Sequence, residues 1–248
     1  FLENYLFKYL KKKFQVKLIS FNEVYNMKKS IIAIFGIVLV SFSANALERK
    51  AGINVSLASL DTKVTDDVDS NGTINTTKDI SNDVVLPSFF FELGGSLPNG
   101  GKISAGIDFL PLSAELESRS TTQTVNNTNA AATSGTNSGS VDVSNHVTAY
   151  VTLGGDVRGN HVFVLGGMMF AEGEYDLKSV SSTNRTGDVI IQGTKLGVGL
   201  ERELGAGFMR LTLSESDYDP ISATTSNATQ VTADIDSTNL TLSLGRSF

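Results

Sequence analysis

The 248-residue chain has no cysteine, which excludes a disulfide framework, a thiolate metal site and a cysteine nucleophile. It is almost as poor in histidine, with His146 and His161 the two present. Prolines are four, Pro87, Pro98, Pro111 and Pro220, so long stretches are free to form hydrogen-bonded strands. No apolar run reaches the roughly 20 residues a helix needs to cross a bilayer, and no long segment repeats with the helical period, which argues against a helical membrane protein. The length alone sets an expectation of one or two domains.

From Met27 the sequence reads "MKKSIIAIFGIVLVSFSANALE": two lysines, an apolar stretch from Ile31 to Phe42, and small residues at Ala44 and Ala46. This is the three-part plan of a secretory signal peptide over residues 27–46, with cleavage expected after Ala46. Residues 1–26 precede that start and contain no methionine, and they read as an upstream extension outside the fold. A basic amphipathic surface helix is the alternative for them. Removing 1–46 leaves 13 basic against 24 acidic residues, a net charge of −11, which argues against nucleic-acid binding.

Residues 47–248 carry a different periodicity. Apolar and polar residues alternate in eight segments, roughly 51–60, 84–97, 102–114, 145–154, 161–172, 188–201, 206–216 and 236–248. Each is near the nine to eleven residues that cross a bilayer as a tilted strand. The connections alternate between long and short, at about 23, 4, 30, 6, 15, 4 and 19 residues. Long extracellular loops, short periplasmic turns and an even strand number are the plan of an all-β, eight-stranded, antiparallel up-and-down transmembrane barrel. A soluble sandwich or a soluble binding barrel is the rival fold. Ile53, Val55 and Leu57 define one face of the first segment, as do Ile103, Ala105, Ile107 and Phe109, Val147, Ala149, Val151 and Leu153, Leu196, Val198 and Leu200, and Met209, Leu211 and Leu213 in others. The fifth segment, "HVFVLGGMMFAE", is apolar on both faces and its phase stays open. Pro98 is expected in a short turn, Pro220 in a long loop, Pro87 at the start of the second strand and Pro111 near the end of the third.

With its signal segment, its loop alternation, the stretch "TKLGVGLERELGAGFMRLTLSESDYD" and the closing "LTLSLGRSF", the chain resembles the small eight-stranded outer-membrane barrels of Gram-negative bacteria, the opacity-type and outer-membrane-protein-A-like families. The resemblance implies a monomer in the cell outer membrane, surrounded by its lipid. It also implies a last strand, marked by Leu240, Leu242, Leu244 and the terminal Phe248, that is read by the outer-membrane assembly machinery. Arg246 shares that phase and is expected to snorkel into headgroups. The role implied is a non-enzymatic surface protein that contributes to envelope integrity or contacts a surface ligand through its loops. A narrow channel for ions or small solutes is the second reading, and a lipid-modifying enzyme the third.

Four charges fall on the inward phase of the expected strands: Glu92, Asp108, Lys195 and Arg210. In a ring of eight, the second and third strands face the sixth and seventh, so two acids oppose two bases across the lumen. The expectation is one internal polar network that packs an interior just wide enough for side chains. Other motifs are weaker. "DDVDSNGT" opens like a calcium loop at Asp67, Asp69, Asn71 and Gly72, but position twelve is Lys78, so a solvated acidic loop is expected instead. His146 and His161 belong at opposite ends of the barrel and do not share a site, and Ser144 beside His146 is uninformative in a serine-rich chain. No catalytic residue, metal or cofactor is expected. The second long loop, about thirty residues of mainly Ser, Thr, Asn, Ala and Gly, is expected to be mobile.

Overall fold

The computed structural model describes residues 47–67, 74, 76–97, 100–111, 114–125, 133–178, 185–224 and 230–248. The expected signal segment with Ala44 and Ala46, the residues before it, Pro98, and Asp69, Asn71 and Gly72 lie outside them. Among the described residues the chain forms strands β1 (Glu48–Asp67), β2 (Thr76–Ser96), β3 (Gly101–Leu110), β4 (Ala114–Val125), β5 (Thr133–Val157), β6 (Asn160–Lys178), β7 (Arg185–Leu204), β8 (Gly207–Thr224) and β9 (Gln230–Ser247). Eight of them, β1-β2-β3-β5-β6-β7-β8-β9, pair antiparallel with their neighbours, and β9 pairs with β1 to close the ring. β4 is the ninth strand and pairs with the first half of β5 outside the closed ring.

The short connections lie together at one end and are built for tight reversal. Between β5 and β6, Val157 pairs with Asn160 and the two central residues, Arg158 and Gly159, both have positive φ, at 53° and 79°. That is the type I′ geometry, whose twist matches the flanking strands. Gly205, with φ of 66°, turns the chain between β7 and β8. These short turns mark the periplasmic side.

The alternation maps onto the barrel wall. Ile53, Val55, Leu57, Leu196, Val198, Leu200, Met209, Leu211, Leu213, Leu240, Leu242 and Leu244 all stand exposed on the outer surface, Leu57 at 54% and Leu213 at 52%. On the opposite face of the same strands Asn54, Thr212, Ser214, Asn239, Thr241 and Ser243 are buried. A soluble protein would reverse this arrangement, because exposed aliphatic side chains cover a wall only where the solvent is hydrocarbon. The open phase of β6 resolves the same way: Val162 and Val164 point outward and Phe163 is buried inside.

Three expectations are corrected. The strands are longer than the bilayer requires, most of them 18 to 25 residues, so the first long loop shrinks to the few residues between Asp67 and Thr76. The second loop, expected to be mobile, contains a β-ribbon in which Ala114↔Val143 through Val125↔Thr133 pair. Both faces of a ribbon in water are polar, so it leaves no apolar alternation to read, while threonine favours the extended backbone. Pro87 and Pro220 lie within β2 and β8 instead of at a strand start and in a loop.

Their placement still obeys the missing N–H. The β2–β3 ladder ends at Phe89↔Phe109, and the β7–β8 ladder ends at Gly193↔Tyr218. Beyond these points, among the described residues, β2 pairs with β1 alone and β8 with β9 alone, so the ring divides into two sheets. Pro87, Pro111 and Pro220 sit at the two points of division, where a strand edge has no ladder to lose.

Leu242→Arg places a charge midway along the exposed aliphatic wall. It is expected to destabilise the folded barrel by about 2–4 kcal/mol in urea titrations from lipid vesicles, and a loss below the error of the titration would show that this wall does not face hydrocarbon.

Candidate functional site

Inside the periplasmic half of the barrel, the inward phase brings four charged side chains from four strands into one cluster: Lys50 of β1, Glu92 of β2, Glu201 of β7 and Arg210 of β8. All are buried, Glu92 to 3%, Glu201 to 4% and Arg210 to 5% exposure. The guanidinium of Arg210 donates to both oxygens of Glu92, Nη1 to Oε2 at 2.9 Å and Nη2 to Oε1 at 3.1 Å. It also donates to Glu201 Oε2 from Nε at 2.9 Å and from Nη2 at 2.6 Å. Lys50 Nζ donates to the remaining oxygen of Glu201 at 2.5 Å, and Tyr150 donates its hydroxyl hydrogen to Glu92 Oε2 at 3.1 Å. Two acids and two bases cancel, which is the condition for keeping ionised groups in a low-dielectric interior.

Aromatic rings complete the layer. Arg210 lies 5.1 Å from the Phe163 centroid, 5.4 Å from Phe208 and 5.6 Å from Phe90, and Lys50 lies 5.2 Å from Phe208. These are cation–π distances. Two rings lie flat against the wall because their cross-strand partners are glycines: a Cβ on Gly199 would run into Phe163, and one on Gly106 into Tyr150. A shallow pocket at the periplasmic mouth, lined by Lys50, Lys102, Ser104, Thr152 and His161, has Glu92 among its walls.

Asp108 and Lys195 belong to a second group, farther from the periplasm. Asp108 Oδ2 accepts from Asn54 Nδ2 at 2.9 Å and lies within the electrostatic reach of Lys195. On the same level the His146 ring shares a 3.1 Å hydrogen bond with the Tyr218 hydroxyl. A β-bulge between Ser144 and Val147, with Asn145 at a positive φ of 52°, delivers His146 to that position. The expected four-residue network is therefore two groups. Glu92 and Arg210 meet directly, whereas Asp108 and Lys195 form a separate polar level above them.

Lys50 and Glu201 were not among the expected network residues. Glu201 could have been found, because it closes the expected sixth strand on the same phase as Lys195. Lys50 lay one position before the expected start of the first strand, so no phase was assigned to it. His146 and His161 do lie at opposite ends, the latter 3.2 Å from Asp156. Among the described residues no three His, Asp or Glu side chains are grouped to hold a metal ion.

A closed ring with an aliphatic exterior and a hydrogen-bonded polar interior defines a transmembrane β-barrel. Neither a protein-family model nor a curated protein sequence matches the chain. Solved structures similar to it include Ail, the attachment invasion locus protein of Yersinia pestis, at 10% identity and a TM-score of 0.35, covering 81% of this chain and 99% of that one. Neisserial surface protein A is similar at 10% identity and 0.31, covering 80% and 99%. The outer-membrane protein AlkL is similar at 14% and 0.44, covering 84% and 93%.

Replacing Arg210 by methionine leaves Glu92 and Glu201 facing each other without their shared cation. The loss expected in vesicle unfolding is about 3–5 kcal/mol, and Arg210→Met combined with Glu92→Gln should recover part of it. Additive losses would mean that the two residues do not interact.

At the periplasmic rim, Asp156 accepts from Lys102 at 3.1 Å and meets His161. Burial works to raise the Asp156 pKa, but the hydrogen bond and charge of Lys102, then of His161, outweigh it and hold it below the ordinary aspartate value. The stabilisation is thus fully present above the unfolded aspartate value of about 3.9 and is lost as pH falls through the lower folded value. Exposure limits it to under about 1 kcal/mol. Amide exchange in the 154–161 hairpin should speed up over that acidic range, and Asp156→Asn should abolish the pH dependence.

Proposed function

We propose that this chain is a non-enzymatic outer-membrane protein whose barrel is closed to solutes. The barrel acts as an anchor and scaffold, and the strands that continue beyond the membrane present the surface through which it makes contact or supports the envelope. The observation that carries this reading is the layer centred on Arg210: four interlocked charges and three phenylalanine rings occupy the lumen of an eight-stranded ring, whose interior has room for little else. Exposure of the aliphatic wall supports the membrane location, and the long outer strands support a surface role.

The terminal strand is proposed as the assembly signal. Leu240, Leu242 and Leu244 stand exposed on one phase, and Phe248, 64% exposed, is tied to the first strand by its N–H donating to the Arg49 carbonyl at 3.0 Å. Deleting Phe248 should lower the amount of heat-modifiable barrel in outer membranes while leaving signal processing unchanged. Normal assembly of the deletion would remove this role.

In planar bilayers the wild-type protein is expected to show no porin-sized conductance steps, whereas Phe163→Ala with Arg210→Ala should produce them. Steady wild-type conductance that alters in Lys195→Met or Arg210→Met would replace the scaffold reading with that of a narrow channel.

A further inference from the structure

Charges at the periplasmic end of the barrel sort by face. Three acids on the inward phase are engaged there: Glu201 with Lys50 and Arg210, Glu48 3.7 Å from Lys50, and Asp156 with Lys102 and His161. Arginines occupy the outward phase of the same wall. Arg49 on β1, Arg202 on β7 and Arg246 on β9 are all exposed. On the outward phase Arg246 stands between Leu244 and Phe248, Arg202 between Leu200 and Leu204, and Arg49 between Leu47 and Ala51, so each lies at the periplasmic rim of the apolar wall. β9 adjoins β1, and β8 separates β9 from β7, with Met209 in register with both Arg202 and Leu244. The three guanidinium groups therefore border one continuous sector.

The other edge of that sector has the opposite sign. Asp236 on β9 is the register partner of Asp61 on β1 and of Asp217 on β8, and all three are exposed. β1 and β9 thus present arginine towards one membrane interface and aspartate towards the other.

We propose that Arg49, Arg202 and Arg246 form a binding surface for the phosphate headgroups of anionic phospholipids in the periplasmic leaflet. A planar guanidinium matches a phosphate in bidentate fashion, and the arginine stem can lie along the aliphatic wall while its head reaches the interface. Glu201, Glu48 and Asp156 are already engaged by Lys50, Arg210, Lys102 and His161, so they do not compete for the guanidinium groups. The surface selects net negative lipids, since a zwitterionic headgroup carries its own cation beside the phosphate.

The test uses the full chain refolded in micelles and titrated with phosphatidylglycerol or with phosphatidylcholine, bound lipid being counted by native mass spectrometry. Wild-type protein is expected to prefer phosphatidylglycerol, and added salt should weaken that preference. In R49Q/R202Q/R246Q the affinity for phosphatidylglycerol should fall by about fivefold per arginine removed, with phosphatidylcholine binding unchanged. Equal binding of the two lipids by the wild type, or undiminished phosphatidylglycerol binding by the triple variant, would overturn the proposal. Heat-modifiable gel mobility reports whether the variant folds. If it does not, the single variants decide: at least two must weaken phosphatidylglycerol binding, and no effect in any of them overturns the proposal equally.

Discussion

Everything in this barrel depends on pairing β9 with β1. A bilayer offers no water to an unpaired N–H or C=O, so a sheet inside it must have no edge. The ladder from Lys50↔Ser247 to Asp67↔Gln230 removes the last one. Closure then dictates the rest of the wall. Each strand has a lipid side and a lumen side, and alternation becomes compulsory along the membrane-spanning part of every strand. Among the described residues the ring divides into two sheets beyond the ends of the β2–β3 and β7–β8 ladders, with three of its prolines at the points of division.

The lumen inherits a second constraint from closure. Eight strands enclose a space that side chains must fill, and residues on the inward phase must satisfy one another without bulk solvent. Hydroxyl pairs such as Ser104 with Thr152 at 2.5 Å and Ser56 with Thr241 at 2.8 Å do this cheaply along the wall. At the periplasmic end the solution is ionic. Arg210 can satisfy two carboxylates at once because its donors lie in a plane, and Lys50 completes the second carboxylate. A lysine at position 210 would supply a point charge without that fork. The phenylalanines around Arg210 are more than filler, since their faces are favourable to the cation they exclude from water.

Much of the wall was legible in the amino-acid sequence, for a local reason. Side-chain direction in a strand follows from sequence parity, so the outward rows containing Leu57, Leu200, Leu213 and Leu242 could be read one strand at a time. Inward charges Glu92 and Arg210 were legible by the same parity. Their connection to Glu201 and Lys50 was harder to read, because it depends on how far neighbouring strands are staggered, and stagger is a property of the ladder. Parity also failed where both faces have the same character. β6 is apolar on both sides near Phe163, and the segments that pair as β4 and the first half of β5 are mainly polar in sequence, so neither carries a readable phase.

By itself, then, the sequence determined which residues face lipid in the strands that alternate, where the tight periplasmic turns fall and that the interior would be polar and charge-bearing, because each follows from local backbone geometry and residue type. Tertiary structure alone decided that Glu92, Arg210, Glu201 and Lys50 meet in one cluster while Asp108 and Lys195 stand at another level. It alone decided where the ring ceases to be closed. The physical reason is shared: both depend on the register between strands distant in sequence, and that register is settled only when all eight ladders close together.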